Sequence, residues 1–259
     1  MLEQSNNSSH SSSEEEFVPR KPRNFIQERI GKIKEAVKTL ADENALSSPE
    51  PLKEEFLHYP ASDVENPQNE ELENRMVNEF NAQPPEGDNS EECYTYLLLD
   101  PRVTGEIQRE DANPEEKWRT FVRSIFYVEK GQSLLPNDHL RDAYNFLRSA
   151  KNVKSDVRNA GKRMQRIMQI WSEDEGVIVL EAFQFINSAE AHTREAVIID
   201  ALGLPSLCNE IPGTYHDGGV VKNLDPDQKL SFGKYLLLKA MREYINSEEI
   251  KIFPSIILH

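Results

Sequence analysis

C-Y-T-Y-L-L-L, residues 93–99, is the first stretch that must be inside a folded domain. Six aromatic, β-branched and aliphatic residues in a row after Cys93 read as a strand with little room for a solvated face. Asp100-Pro101 ends it. Downstream comes a polar excursion, then P-E-E-K-W-R-T-F-V-R (114–123), a short helix with Pro114 at its start. I-F-Y-V (125–128) is a second strand, and the connection is long for a hairpin, so the excursion is an insertion between paired strands. Asp138 caps a helix over 139–150. A longer helix is expected over 153–172, carrying Val153, Val157, Met164, Ile167, Met168, Ile170 and Trp171. V-I-V-L-E-A-F-Q-F (177–185) is a third strand. Asn187 with Glu190 reads as a capping box opening a helix over 189–202, stopped by Gly203 and Pro205. After a glycine-rich turn, Gly213 to Gly219, a last amphipathic helix spans 226–246. The order predicts an α/β fold, a small mixed sheet of about three strands flanked by helices.

Upstream of Cys93 the chain differs. The net charge is -15, and residues 1–92 contribute -12 of it against -3 from 93–259. The acidity therefore says little against the C-terminal part meeting a polyanion. Mean hydropathy is -0.66, so the N-terminal third is expected to be largely disordered. Residues 1–21 read as a Ser/Asn/Glu-rich tail. Residues 22–45 read as an amphipathic helix with Phe25, Ile26, Ile30, Ile33, Val37 and Leu40 on one face. Residues 46–92, broken by Pro51, Pro60, Pro67, Pro84 and Pro85 and rich in acids, read as a linker with a short helix near 70–80. The apolar stripe of 22–45 could pack on the domain or dock a protein partner. R-K-P-R (20–23) has the composition of a nuclear import signal and of many chance basic strings. Cys93 and Cys208 have no zinc spacing and are too few for a disulfide framework. No signal peptide and no run of membrane-spanning length is present. The expectation is an intracellular protein, in nucleus or cytoplasm.

For chemistry, the strands offer Tyr94 and Tyr96 on one face and Tyr127 beside them. The fourth main helix offers Arg194 and Glu195, and the following loop offers Asn209. One carboxylate can hold one hard cation with waters completing its shell, and a tyrosine can relay a proton. Against that, tyrosine is common in strands and helix glutamates are usually solvated. Between Arg148 and Arg166 lie seven basic residues and one acid, Asp156. Lys151, Lys154, Arg158, Lys162 and Arg163 among them could track a phosphate backbone or form an ordinary solvated helix face.

Five stretches together resemble a GIY-YIG nuclease domain, and more narrowly that of the ankyrin-repeat and LEM-domain endonuclease family. They are T-Y-L-L-L-D-P-R (95–102), I-F-Y-V-E-K-G (125–131), P-N-D-H-L (136–140), A-H-T-R-E-A-V-I-I-D-A-L-G (191–203) and L-C-N-E-I-P-G (207–213). The resemblance implies metal-dependent hydrolysis of DNA phosphodiesters with Mg²⁺ or Mn²⁺. It assigns water activation to Tyr96, phosphate orientation to Tyr127, the metal to Glu195 and a supporting role to Asn209. His139 falls at the family's motif histidine.

Three departures bear on activity. Y-T-Y stands where the first motif has G-I-Y. Y-V-E-K-G stands where the family has Y-V-G-K-G, so Glu129 brings bulk and negative charge beside the expected phosphate. Ser133 and Leu135 stand where arginines precede the motif proline. Lys130 or Arg141 could supply the missing cation, with Arg194, Arg158, Lys162 and Arg163 as further DNA contacts. Two functions follow as expectations: a weakened DNA endonuclease, or a nuclease-derived module that binds nucleic acid or protein without cutting.

Overall fold

The computed structural model describes residues 23–64, 66–82, 93–105, 107, 112–132, 138–217 and 219–257. Its centre is a four-stranded antiparallel sheet, not a mixed one of three. The strands are β1 (Cys93–Leu99), β2 (Ile125–Gln132), β3 (Val177–Ile186) and β4 (Lys251–Ile252), in the order β2-β1-β3-β4. Two-residue β4 is too short to show a periodicity, which is why the sequence does not reveal it.

The helices are α1 (Arg23–Asp42), α2 (Ala61–Val64), α3 (Pro67–Ala82), α4 (Pro101–Thr104), α5 (Pro114–Ser124), α6 (Asp138–Ser149), α7 (Val153–Arg158), α8 (Lys162–Ser172), α9 (Ser188–Leu202) and α10 (Pro226–Asn246). The helix expected over 153–172 is two: Asn159 ends α7 and Gly161 opens α8. The box expected at α9 forms by half. Asn187 accepts from the Glu190 backbone N–H, while the Glu190 carboxylate turns to Arg194.

Both faces of the sheet are covered, so β1 is buried at every residue and shows no alternation. Tyr94, Tyr96, Leu98 and Tyr127 face α1, α6, α7 and α8. Leu97, Leu99, Val128 and Leu180 face the layer of α3, α5, α9 and α10.

The upstream segments belong to this fold. Ile26, Ile33 and Leu40 of α1 are buried against the α6–α8 layer, so the stripe is already covered and is not free to dock a partner. Arg29 caps the C-terminal end of α6, donating to the carbonyls of Leu147 at 2.7 Å and Ala150 at 2.5 Å. Residues 46–82, expected as linker, place Phe56, Leu57, Met76 and Phe80 in the other core. The Trp118 indole donates to the Phe56 carbonyl at 3.0 Å. The tail over 1–21 and most of R-K-P-R lie outside the described residues. Among the described residues no helix is long and apolar enough to cross a membrane.

Candidate active site

Tyr96 of β1 lies directly opposite Glu129 of β2, and Tyr127 is two residues before Glu129. Strand alternation therefore puts all three side chains on one face. Glu129 Oε2 accepts from the Tyr96 hydroxyl at 2.6 Å and from the Tyr127 hydroxyl at 3.0 Å. His139, near the start of α6, brings Nε2 against the same oxygen. That contact places the imidazole proton on Nε2, so Arg163 Nη1, 3.2 Å from the same nitrogen, is a neighbour and not a donor to it. Arg163 comes from α8. It donates to the Tyr127 hydroxyl at 2.7 Å, with its guanidinium carbon 4.8 Å from the ring centroid. The His139 ring meets the Tyr127 ring edge-on, centroids 5.4 Å apart.

The electrostatics follow from burial and these contacts. Burial pushes both phenols far above their usual range, and the Glu129 charge and hydrogen bonds push further; Arg163 partly opposes this. Neither tyrosine ionises at ordinary pH, so each acts as a hydroxyl. Burial raises the Glu129 carboxyl, but donors on His139, Tyr96 and Tyr127 outweigh it and bring it down to about 2. Glu129 is thus a carboxylate inside the site. Glu181, opposite Tyr96 on the other strand, is raised by burial.

The second part of the site is the outer edge of β2. Residues 126, 128 and 130 turn backbone groups away from β1. The Cys208 backbone N–H donates to the Phe126 carbonyl at 2.7 Å. The Asn209 side chain accepts from Val128 N–H at 3.1 Å and donates to Val128 C=O at 2.8 Å. Glu195 Oε2 accepts from Lys130 N–H at 3.2 Å, with His192 Nδ1 3.6 Å away. Asn209 and Glu195 thus seal an edge strand that would otherwise present unpaired groups. Both polar atoms of Asn209 are spent on the backbone, which makes it a positioning residue.

Gly131 keeps its place for a steric reason. A Cβ there would sit 2.1 Å from the Tyr94 ring, which folds over the backbone. Tyr94 itself is pushed up to about 12 by burial and by the charge of Glu181.

The expected DNA-contacting cations divide. Arg194 is only 3% exposed. It donates to Glu190 and, at 2.9 Å, to Glu73 of α3, with the Phe183 ring against it. It cannot reach a substrate: α3 covers it and each of its three nitrogens is already engaged. Arg158 and Lys154 both pair with Glu43 just after α1, and Arg141 pairs with Asp138. Lys130 reaches Gln132, and as Glu129's neighbour in the strand it points to the opposite face. Lys162 is exposed at the start of α8. Arg163 alone among these enters the tyrosine cluster, so it is the cation the site possesses. Arg163 is in the basic series that the sequence displays, but no spacing indicates which member turns inward. Ser133 and Leu135 lie outside the described residues.

Two tyrosines on neighbouring strands, a histidine, an arginine and a carboxylate at the strand edge, on a small antiparallel sheet between helical layers, define a GIY-YIG nuclease-type domain. The LEM-3-like GIY-YIG domain model matches residues 93–259, and the chain belongs to that family. It is 37% identical over 164 residues to the mouse ankyrin repeat and LEM domain-containing protein 1, covering 62% of this chain and 29% of that protein. The human protein of the same name is 36% identical over 163 residues, covering 62% and 26%. The Caenorhabditis elegans homolog is 35% identical over 150 residues, covering 58% and 20%. The chain thus spans less than a third of the length of these relatives. No solved structure matches it.

Proposed function

We propose that this domain is a metal-dependent DNA endonuclease of low activity. The observation that carries the reading is the convergence of the Tyr96 and Tyr127 hydroxyls and the His139 imidazole on one anionic oxygen, with Arg163 behind them on the Tyr127 hydroxyl. Donors drawn from three separate elements to one anion, backed by a cation from a fourth, are what a phosphodiester needs for orientation and for stabilising charge that develops on its oxygens. Tyr127 and Arg163 would hold a phosphate oxygen. Tyr96, un-ionised, would orient water by accepting or donating a hydrogen bond. Lys162, on the helix that carries Arg163, would meet a neighbouring phosphate.

A divalent cation fits at Glu195. Its side chain is 15% exposed, so it can reach solvent, and one of its oxygens is held by the Lys130 N–H. Among the described residues no cluster of three or more metal-ligating side chains exists. A hard cation such as Mg²⁺ or Mn²⁺ is commonly held by one or two carboxylates with waters and phosphate oxygens. When bound there, it would supply positive charge at the phosphate.

A second reading, a module that engages DNA without cutting it, is favoured by one observation: Glu129 occupies the anion position. The whole chain, incubated with supercoiled plasmid and branched DNA in Mg²⁺ or Mn²⁺, tests both. Nicking that disappears in Glu195→Ala supports the endonuclease. DNA binding without nicking, at any enzyme concentration, sinks it in favour of the second reading.

A further inference from the structure

We infer that Glu129 is a built-in counter-anion seated in the phosphate position of the nuclease centre, so that a phosphate group and the Glu129 carboxylate compete for the same donors. The inference rests on the nuclease reading above only for the identity of the seat. The competition itself follows from the donors.

Each tyrosine hydroxyl has one proton to give. Tyr96 gives its proton to Glu129 Oε2 at 2.6 Å, and Tyr127 gives its own at 3.0 Å. His139 Nε2 serves the same atom. Three donors from β1, β2 and α6 are therefore used on one oxygen. Arg163 stands behind them on the Tyr127 hydroxyl. A phosphate oxygen entering here finds no hydroxyl or imidazole proton free. It also meets a like charge in a half-buried place, where water screens poorly.

The seat is made by strand geometry and needs no loop movement to form. Glu129 is the cross-strand partner of Tyr96 and the i+2 neighbour of Tyr127. A glycine at this position would leave the same three donors without their side-chain acceptor. Gly131, two residues on, cannot take that role, because the Tyr94 ring already fills the space over it. One residue of Y-V-E-K-G thus decides whether the cup is open.

A competing use of the same contacts has Glu129 as the final acceptor in a relay. Water would give a proton to a tyrosine hydroxyl as that hydroxyl passes its own to Glu129. The carboxylate is a poor acceptor for that purpose, since its proton affinity is that of a group with pKa about 2. One lone pair of the Tyr127 hydroxyl is also already occupied by Arg163.

The test titrates inorganic phosphate, without divalent cation, into the full chain, Glu129→Ala, Glu129→Gln and Glu129→Ala/Arg163→Ala. Binding is followed by calorimetry and by the His139 imidazole NMR signals. Folding is checked by circular dichroism. Wild type is expected to show no saturable binding at millimolar phosphate. Glu129→Ala is expected to bind at least about tenfold more tightly, as loss of a like charge at contact distance in a partly buried site implies. The double variant is expected to lose most of that gain. Glu129→Gln keeps shape and folding while removing the charge, and is expected to gain affinity in the same direction. Folded Glu129→Ala or Glu129→Gln that binds phosphate no better than wild type overturns the inference. So does wild type that binds phosphate with shifts at His139. DNA cleavage separates this inference from the nuclease reading. Improved phosphate binding with no cutting by Glu129→Ala upholds the seat and removes the nuclease. Cutting by wild type that falls in Glu129→Ala retains the nuclease and removes the seat.

Discussion

Glu73 of α3 is the residue through which the upstream segment grips the domain, and replacing it gives a large, signed effect. Its carboxylate takes Arg194 at 2.9 Å, Lys239 at 2.9 and 2.7 Å and the Tyr235 hydroxyl at 2.8 Å. The Glu73 side chain is 10% exposed and that of Arg194 is 4% exposed. Breaking a buried pair from one side costs about 3–5 kcal/mol. Two features reduce this. Arg194 keeps Glu190, and Lys239, 37% exposed, can turn to water. Glu73→Ala should therefore cost about 2–4 kcal/mol. For a domain of this size that lowers Tm by roughly 5–15 °C. Glu73→Gln, which keeps an acceptor, should cost about half as much. The sign with pH is fixed. Burial raises the Glu73 carboxyl, but Arg194 and Lys239 outweigh it and hold it below 4.5. Its contribution is complete above that value and is lost as pH falls through the lowered folded pKa. Urea denaturation of wild type and variant at pH 7 and at pH 4 or below is the assay. The gap between the two proteins should narrow in acid. A gap under 0.5 kcal/mol at pH 7, on the scale of an ordinary surface change, or one that widens in acid, would refute the argument.

Three further outcomes follow. Gly131→Ala drives a methyl into the Tyr94 ring and should cost about 1–3 kcal/mol; a double-mutant cycle with Tyr94→Ala should recover part of it, and additive losses would count against the contact. Asn209→Ala strips both partners from the Val128 backbone and should cost about 2–4 kcal/mol, with faster hydrogen exchange at the Val128 amide; unchanged exchange would show that another group seals the edge. A chain cut to 93–259, the stretch the family model covers, loses Phe56, Leu57, Met76 and Phe80, each worth about 1.5–3 kcal/mol of burial. It should bind a hydrophobic dye and unfold without a sharp transition, whereas cooperative melting near that of the full chain would mean the upstream segment is dispensable.

Much of this architecture is legible before any coordinates. The strands at 93–99 and 125–128 and the helices over 139–150, 189–202 and 226–246 are found where their apolar residues put them. What escapes does so for physical reasons. The prolines and acids of 46–92 signal a solvated linker, but its core anchors are few and scattered, and Glu73, one acid among many there, finds Arg194 121 residues away. Arg194 beside Glu195 looks like a site residue because adjacent helix positions are both functional types; a helix turns them about 100° apart, and only one faces the strand edge. Glu129 is visible as an anomaly in its motif, but its direction depends on which face of β2 the motif tyrosines take. Arg163 is hidden within a basic series, since helical spacing says which residues share a face and not what that face meets.

Two of the helices that precede the sheet in sequence, α1 and α3, close opposite sides of it, and this sets the order in which the molecule can be completed. Arg29 waits for carbonyls 118 and 121 residues further on, and Glu73 waits for Lys239, 166 residues away. During synthesis α1 and α3 therefore lack these partners until α6 and α10, respectively, have been made. Pairings so distant are slow to form and leave apolar stripes exposed while they do. A nascent chain halted before α10 should therefore be a substrate for chaperones and not a half-built domain.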